Sequence, residues 1–197
     1  MPSIHQQMND RTRAAIRETF IASVRESGFG KVTVRQIVEK AGINRGTFYL
    51  HFSDKYDLME QIQNELLEGF HQVLIVAIDF GETYRYHLEK KPYPQFAAIF
   101  AYFASHAELF ELLSGKKGEA GFPAKLKKTV IRSFHRKLDN SRIFERHPSV
   151  PPDYFSAYTA SLLLGITEAW LERGQNESAE ELALIYNELM AMQRILR

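Results

Sequence analysis

Residues 33–52 read Thr-Val-Arg-Gln-Ile-Val-Glu-Lys-Ala-Gly-Ile-Asn-Arg-Gly-Thr-Phe-Tyr-Leu-His-Phe, and this stretch decides the fold. Thr33 is followed three places later by Gln36, the pattern of a capping box. Val34, Ile37, Val38 and Ala41 then match the i, i+3, i+4, i+7 spacing of a short helix. Gly42 stops that helix, because glycine accepts the left-handed backbone of a helix end. Asn44 is a good N-cap for the next helix, in which Phe48 and Phe52 lie one turn apart and face inward. Two short helices about a glycine turn read as a helix-turn-helix.

In such a unit the second helix must present side chains to base edges while its inner face stays anchored on the other helices. Phe48 and Phe52 anchor here, with Ile37, Val38 and Ile43 around the turn. The outward set is Arg45, Gly46, Thr47, Tyr49, Leu50 and His51. Arg45 suits guanine O6/N7 or a phosphate, the Thr47 and Tyr49 hydroxyls suit phosphate oxygens, and Leu50 suits a thymine methyl. Gly46 lets the backbone approach closely. Thr33 and Arg35 on one flank, and Lys55 with free backbone N–H groups on the other, are expected to clamp phosphates. The bland alternative for these twenty residues is an ordinary helical hairpin.

Upstream, Ile16, Phe20 and Val24 recur every four positions between Asp10 and Ser27, which predicts an amphipathic first helix ended by Gly28 and Gly30. Downstream, Ser53 or Asp54 caps a fourth helix with Leu58, Ile62, Leu66, Phe70 and Leu74 on successive turns. If it runs to about Ala77 it spans ~35 Å at 1.5 Å per residue. Later breaks predict helical blocks over about 82–90, 94–113, 123–138, 153–173 and 178–196, the last begun by a Ser178/Glu181 capping box. No strand pairs or repeats are visible. The expected fold class is all-α: a three-helix, homeodomain-like helix-turn-helix domain over 1–54, then a helical domain over 55–197, to which the resemblance given below assigns effector binding and dimerisation.

Net charge is +1, but residues 1–55 hold nine Lys/Arg against five Asp/Glu, net +4. A basic N-terminal region is the footprint expected for phosphate contact, although charge alone does not separate nucleic acid from an anionic membrane. No run approaches the roughly 18 uninterrupted apolar residues of a membrane span. No apolar leader follows a basic start, so export is not expected. The absence of cysteine fits a reducing cytoplasm. The seven histidines show no metal-ligand spacing, and the sequence lacks the common nucleotide-loop and nucleophile-elbow motifs. No enzyme, metal or cofactor is expected.

Residues 11–60 resemble the N-terminal domain of tetracycline-repressor-type (TetR) regulators. The resemblance runs through Gly28-Phe29, Thr33-Val34-Arg35-Gln36-Ile37, Lys40-Ala41-Gly42-Ile43, Gly46-Thr47-Phe48-Tyr49, His51-Phe52 and Lys55-Tyr56-Asp57-Leu58. It implies DNA binding by a homodimer on a palindromic operator, a C-terminal domain for ligand binding and dimerisation, and repression relieved by a small molecule. It also implies that Tyr49, His51 and Lys55 contact phosphates, with Arg45, Thr47 and Leu50 at sequence-reading positions. Leu164 to Gly174 is similar to a subgroup that regulates sugar or dihydroxyacetone metabolism. Some members of that subgroup work with a protein co-regulator. Two alternatives stay open: an activator or co-regulator that holds a protein partner, and a helical enzyme or carrier with a non-functional hairpin.

Ala157, Ser161, Gly165 and Ala169 form a ridge of small residues beside an apolar stripe of Tyr158, Leu162, Ile166 and Trp170. Small ridges allow close helix approach. With Leu182, Tyr186, Leu189 and Gln193, two copies would build a four-helix dimer interface, unless the ridge packs inside one subunit. The middle blocks are aromatic-rich, and Phe100, Phe103, His106, Phe110 and Phe134 are candidates for an apolar effector pocket. A plain core is the alternative for them.

Overall fold

The computed structural model describes residues 3–89, 91, 93–138 and 149–192. The described residues form α1 (Ile4–Ser27), a 3-10 turn (Phe29–Lys31), α2 (Val34–Ala41), α3 (Arg45–His51), α4 (Lys55–Ala77), α5 (Phe80–Leu88), α6 (Pro94–Ser105), α7 (Ala107–Ser114), α8 (Phe122–Leu138), α9 (Pro152–Glu172) and α10 (Ala179–Met192). The chain is all-helical, as its periodicity predicts.

Packing divides it into two compact units, Met1–Leu66 with Glu111–Pro123, and Leu67–Phe110 with Ala124–Arg197. In the first, Ile16, Phe20 and Val24 of α1 are buried with Ile37, Val38, Phe48, Phe52, Leu58 and Ile62. The residues 111–123 are distant in sequence yet belong here. The Phe29 N–H donates to the Lys117 carbonyl at 2.8 Å, and Lys117 Nζ donates to the Arg25 carbonyl at 2.6 Å. Gln63 Nε2 donates to Glu119 Oε2 at 2.8 Å. This segment thus satisfies backbone groups at the end of α1 that would otherwise lack a helical partner.

Local signals set the helix ends. α1 begins at Ile4, earlier than the predicted Asp10, because the Ser3 side chain accepts from the Gln6 N–H at 3.2 Å. The Thr33/Gln36 and Ser178/Glu181 capping boxes both form. The predicted block 94–113 is instead two helices, α6 and α7, bent by 68°. His106 breaks it: its backbone leaves the helical region (φ −122°, ψ 15°), its N–H turns to the Phe103 carbonyl, and its own carbonyl accepts from Leu109 and Phe110 to start α7. His106 Nδ1 also lies 3.0 Å from the Tyr102 carbonyl, against whose ring the imidazole stacks at 4.2 Å. Among the described residues no single helix is long and apolar enough to cross a membrane.

The second unit is built on aromatic packing. Phe70 of α4 meets Tyr102 and Phe103 of α6 and Phe110 of α7, with centroids 4.5–6.1 Å apart. Phe96 and Phe100 of α6 meet Tyr186 of α10 edge-on, and Phe100 also meets Trp170 of α9. A buried polar pair lies within this core: His71 Nδ1 sits 2.7 Å from Ser133 Oγ, whose proton goes to the Thr129 carbonyl. The imidazole is therefore the donor.

The residues expected at a dimer face differ in exposure within the single chain. Trp170, Leu182 and Tyr186 are buried inside a single chain, with Trp170 Nε1 donating to the Glu177 carbonyl at 3.0 Å. Their large apolar surfaces find partners within their own unit. Ala157, Tyr158, Ser161, Leu162, Gly165, Ile166, Ala169 and Leu189 keep exposed or half-exposed positions, and nothing lies within 4 Å of a Cβ added at Gly165. Gln193 lies outside the described residues. Phe100, Phe103, Phe110 and Phe134 are buried, and the ring contacts of the first three are those of a packed core; His106 is half-buried at the α6–α7 bend.

Candidate nucleic-acid interface

Gly42 closes α2 in the left-handed conformation (φ 66°, ψ 30°), and the following Ile43 N–H reaches back to the Val38 carbonyl. This geometry turns the chain within three residues, and any side chain at position 42 would strain it. Asn44 then caps α3: its Oδ1 accepts from the Thr47 N–H at 2.7 Å and from the Thr47 hydroxyl at 3.1 Å. A Cβ at Gly46 would stand 3.2 Å from that oxygen, tighter than most contacts, so glycine also leaves room for the cap.

α3 is short and divided sharply between two faces. Phe48 is fully buried and Phe52, its C-cap, nearly so, their rings 5.8 Å apart. Each contributes roughly 1.5–3 kcal/mol of burial. Against that anchor, Leu50 is 85% exposed and Tyr49 54% exposed. Arg45 and Gly46 are exposed, and Thr47 and His51 are half-exposed. The outward set named from the sequence therefore lies on the outward side of α3. The Tyr49 ring stands edge-on to Phe48 at 5.5 Å, which holds the phenol in place.

The flanks differ from expectation in detail. Thr33 is exposed, but its hydroxyl is engaged with Gln36 in the capping box. Arg35 is exposed and pairs with Glu39 at 2.7 Å; that hydrogen bond and charge raise its pKa. Lys55 is committed most deeply. Its ammonium donates to the carbonyls of Phe29, Gly30 and Val32 at 3.0, 3.2 and 2.8 Å, and it lies over the Phe29 ring. Three acceptors match the three protons of an ammonium, so Lys55 clamps the 3-10 turn rather than standing free. The backbone N–H groups expected to be free at the start of α4 are also taken. Asp54 Oδ1 accepts from the Tyr56 and Asp57 N–H groups, both at 2.8 Å. A carboxylate is already placed where a phosphate was expected, satisfying the helix N-terminus.

Sequence reasoning passed over a second set at this joint. Ser53 N–H donates to Asp57 Oδ2 at 2.8 Å, Gln61 Nε2 donates to Asp57 Oδ1 at 2.8 Å, and Arg13 Nη2 donates to Gln61 Oε1 at 2.8 Å. The Gln61 hydrogen bond, then that from Ser53, holds the Asp57 carboxyl below the usual carboxylate range. The local signals are the four-residue spacings of Ser53/Asp57 and Asp57/Gln61. Glu65 accepts from Arg13 at 3.0 Å and also pairs with Arg17.

Two family models match the chain: "bacterial regulatory proteins, tetR family" over residues 21–62, and "transcriptional regulator C-terminal region" over 90–191. The chain belongs to the TetR family. Its helix-turn-helix and helical C-terminal region match the family models of transcriptional regulators. This TetR-family chain is 23% identical to the HTH-type transcriptional regulator YxbF of Bacillus subtilis over 187 residues, 95% of the chain. It spans about half, 47%, of the length of YxbF. Among solved structures it is similar to NalD, the secondary repressor of the MexAB-OprM multidrug efflux pump in Pseudomonas aeruginosa, at TM-score 0.66 and 19% identity, covering 93% of the chain and 96% of NalD. It is also similar to the dihydroxyacetone kinase operon activator DhaS, at TM-score 0.52 and 18% identity, covering 92% and 95%. At those identities the likeness is one of fold.

Proposed function

We propose that this TetR-family regulator binds a palindromic operator as a homodimer, one α3 per half-site, and represses a nearby operon until a small molecule releases it. The observation that carries the reading is the face of α3: an exposed leucine and tyrosine beside Arg45, Gly46 and Thr47, on a helix pinned by Phe48 and capped by Asn44. An apolar tip such as Leu50, 85% exposed, suits a thymine methyl. Arg45, Thr47 and Leu50 read bases in this scheme, while Tyr49, His51, Thr33 and Arg35 meet phosphates. Lys55 acts chiefly by fixing the turn behind them.

Half-sites sit about 34–36 Å apart or a related spacing. An effector works only by binding one arrangement of the dimer better than the other. The exposed ridge of α9, from Tyr158 through Ser161 and Gly165 to Ala169, with Leu189 of α10, supplies the dimer face. The repressor sign follows the precedent of NalD; DhaS, an activator by name, is the contrary precedent.

The test is selection of duplexes from a random library by the purified chain, followed by titration across salt. A palindromic consensus bound with a steep negative salt slope supports the reading. Arg45→Ala relaxing the preference at one base pair identifies the reader. Retention of no duplex at low salt overturns it.

A further inference from the structure

The first unit contains a closed ring of contacts that uses none of the outward residues of α3. Starting at Arg13 of α1, the guanidinium donates to Gln61 Oε1, Gln61 Nε2 donates to Asp57 Oδ1, and Asp57 Oδ2 accepts from both the N–H and the hydroxyl of Ser53, the latter at 3.0 Å. Ser53 is bonded to Phe52, and the Phe52 ring lies 5.7 Å from the Arg13 guanidinium carbon, completing the circuit. Phe52 also ends α3, its N–H donating to the Phe48 carbonyl at 3.0 Å. Both sides of the Phe52–Ser53 peptide are thus tied to one arginine, on one side through the ring face and on the other through two side chains.

We infer that Arg13 is a positioning residue for DNA recognition: through Gln61 and Asp57 it fixes the Phe52–Ser53 joint, and so the direction in which α3 presents Arg45, Thr47 and Leu50. The chemistry suits that task. A guanidinium is planar and always charged, offers several donors in fixed directions, and stacks on an aromatic face. Gln61 is matched to its place because an amide accepts at one end and donates at the other, whereas a carboxylate at 61 would face the Asp57 carboxylate. Beyond Phe52 no helix carbonyl receives the chain: the Ser53 N–H goes to the Asp57 carboxylate, since α3 ends at His51 and α4 begins at Lys55. A small angular error there is carried to base contacts that depend on sub-ångström placement.

Arg13 also pairs with Glu65, as does Arg17, and this gives a control within the same cluster. Glu65→Gln removes the charge partner of both arginines and leaves the ring intact. The inference rests on the DNA-binding reading for its consequence but not for its geometry, and the experiment separates the two. Arg13→Gln, Gln61→Met, the double variant and Glu65→Gln are compared for affinity to a duplex selected by the unaltered chain, across salt and well below their melting temperatures. Amide exchange at Ser53 is followed in the DNA-free proteins.

Arg13→Gln and Gln61→Met are each expected to weaken specific binding about tenfold, with the double variant no worse than the single ones because the contacts act in series. The salt slope stays unchanged, Ser53 exchanges faster, and Glu65→Gln leaves affinity at the original value. A salt slope reduced by about one phosphate contact in Arg13→Gln would show that the arginine touches DNA itself, and would overturn the inference. So would an equal loss in Glu65→Gln, or lower melting temperatures with unaltered affinity. If the unaltered chain selects no duplex, the DNA-binding reading fails, and unchanged Ser53 exchange in Arg13→Gln then sinks the ring as well.

Discussion

At the scale of single residues, the interface separates side chains that hold from side chains that face out. Phe48 is the clearest holder. Phe48→Ala is expected to lower unfolding free energy by roughly 3–5 kcal/mol, read from urea denaturation, because it empties a fully buried aromatic site. Leu50→Ala, at a position 85% exposed, should leave stability within about 0.5 kcal/mol while altering the preferred base pair. Asp57 supplies a pH dependence. Its carboxyl is held below the ordinary value by Gln61 and then by Ser53, so it stabilises the fold above the usual carboxylate pKa of about 3.9 and loses that contribution as pH falls through its lower folded value. Acid titration of the urea midpoint should therefore fall more steeply below about pH 4 for the original chain than for Asp57→Asn. A parallel pair of curves would remove Asp57 from the joint.

The residues legible in the sequence were those whose partners lie within a turn or two. Thr33 with Gln36, Asn44 with Thr47 and Ser178 with Glu181 need only three positions of context, and all formed. The spacing of Phe48 and Phe52 shows which way they point. Lys55 was visible as a cation but not as a clamp, since its acceptors lie 23 to 26 residues upstream. Arg13 and Gln61 are 48 apart, with nothing in the pattern to join them. Tyr186 and Trp170 are buried within the chain, and an apolar stripe in the sequence does not say which neighbour covers it.

At the scale of helices, caps and breaks explain where elements begin and end. Thr33→Ala removes one half of the α2 capping box and is expected to cost about 1 kcal/mol, measured by thermal unfolding, with a larger loss of DNA affinity than of stability if α2 also abuts the phosphates. The long α4 was read correctly because Leu58, Ile62, Leu66, Phe70 and Leu74 recur at one-turn intervals, and all five are buried. The α6–α7 bend was missed for the opposite reason. Residues 94–113 are apolar nearly throughout, and neither Gly nor Pro marks the break at His106. The signal is a side chain competing for the helix carbonyl at Tyr102.

At the scale of the whole molecule, the proposed dimer gives a concentration-dependent test. Gly165 faces open space beside Ser161 and Ala169, so Gly165→Arg should leave the helical circular dichroism spectrum intact while shifting sedimentation toward the monomer. Loss of operator binding should accompany that shift, because two half-sites then bind independently. An unchanged sedimentation coefficient would place the subunit contact elsewhere.

The segment Glu111–Pro123, which packs with the first sixty-six residues through Lys117 and Glu119, bears on how such regulators can be recombined. A DNA-reading head is commonly imagined as a cassette that one cut releases and one splice transplants. Here a single splice after α4 would strand the head without the carbonyl that receives the Phe29 N–H. A transferable cassette from this chain has two pieces, and a chimera that borrows a foreign C-terminal region must bring or match the second. Grafting residues 111–123 along with the head is the natural route to a regulator that answers a new signal at the operator proposed for this chain.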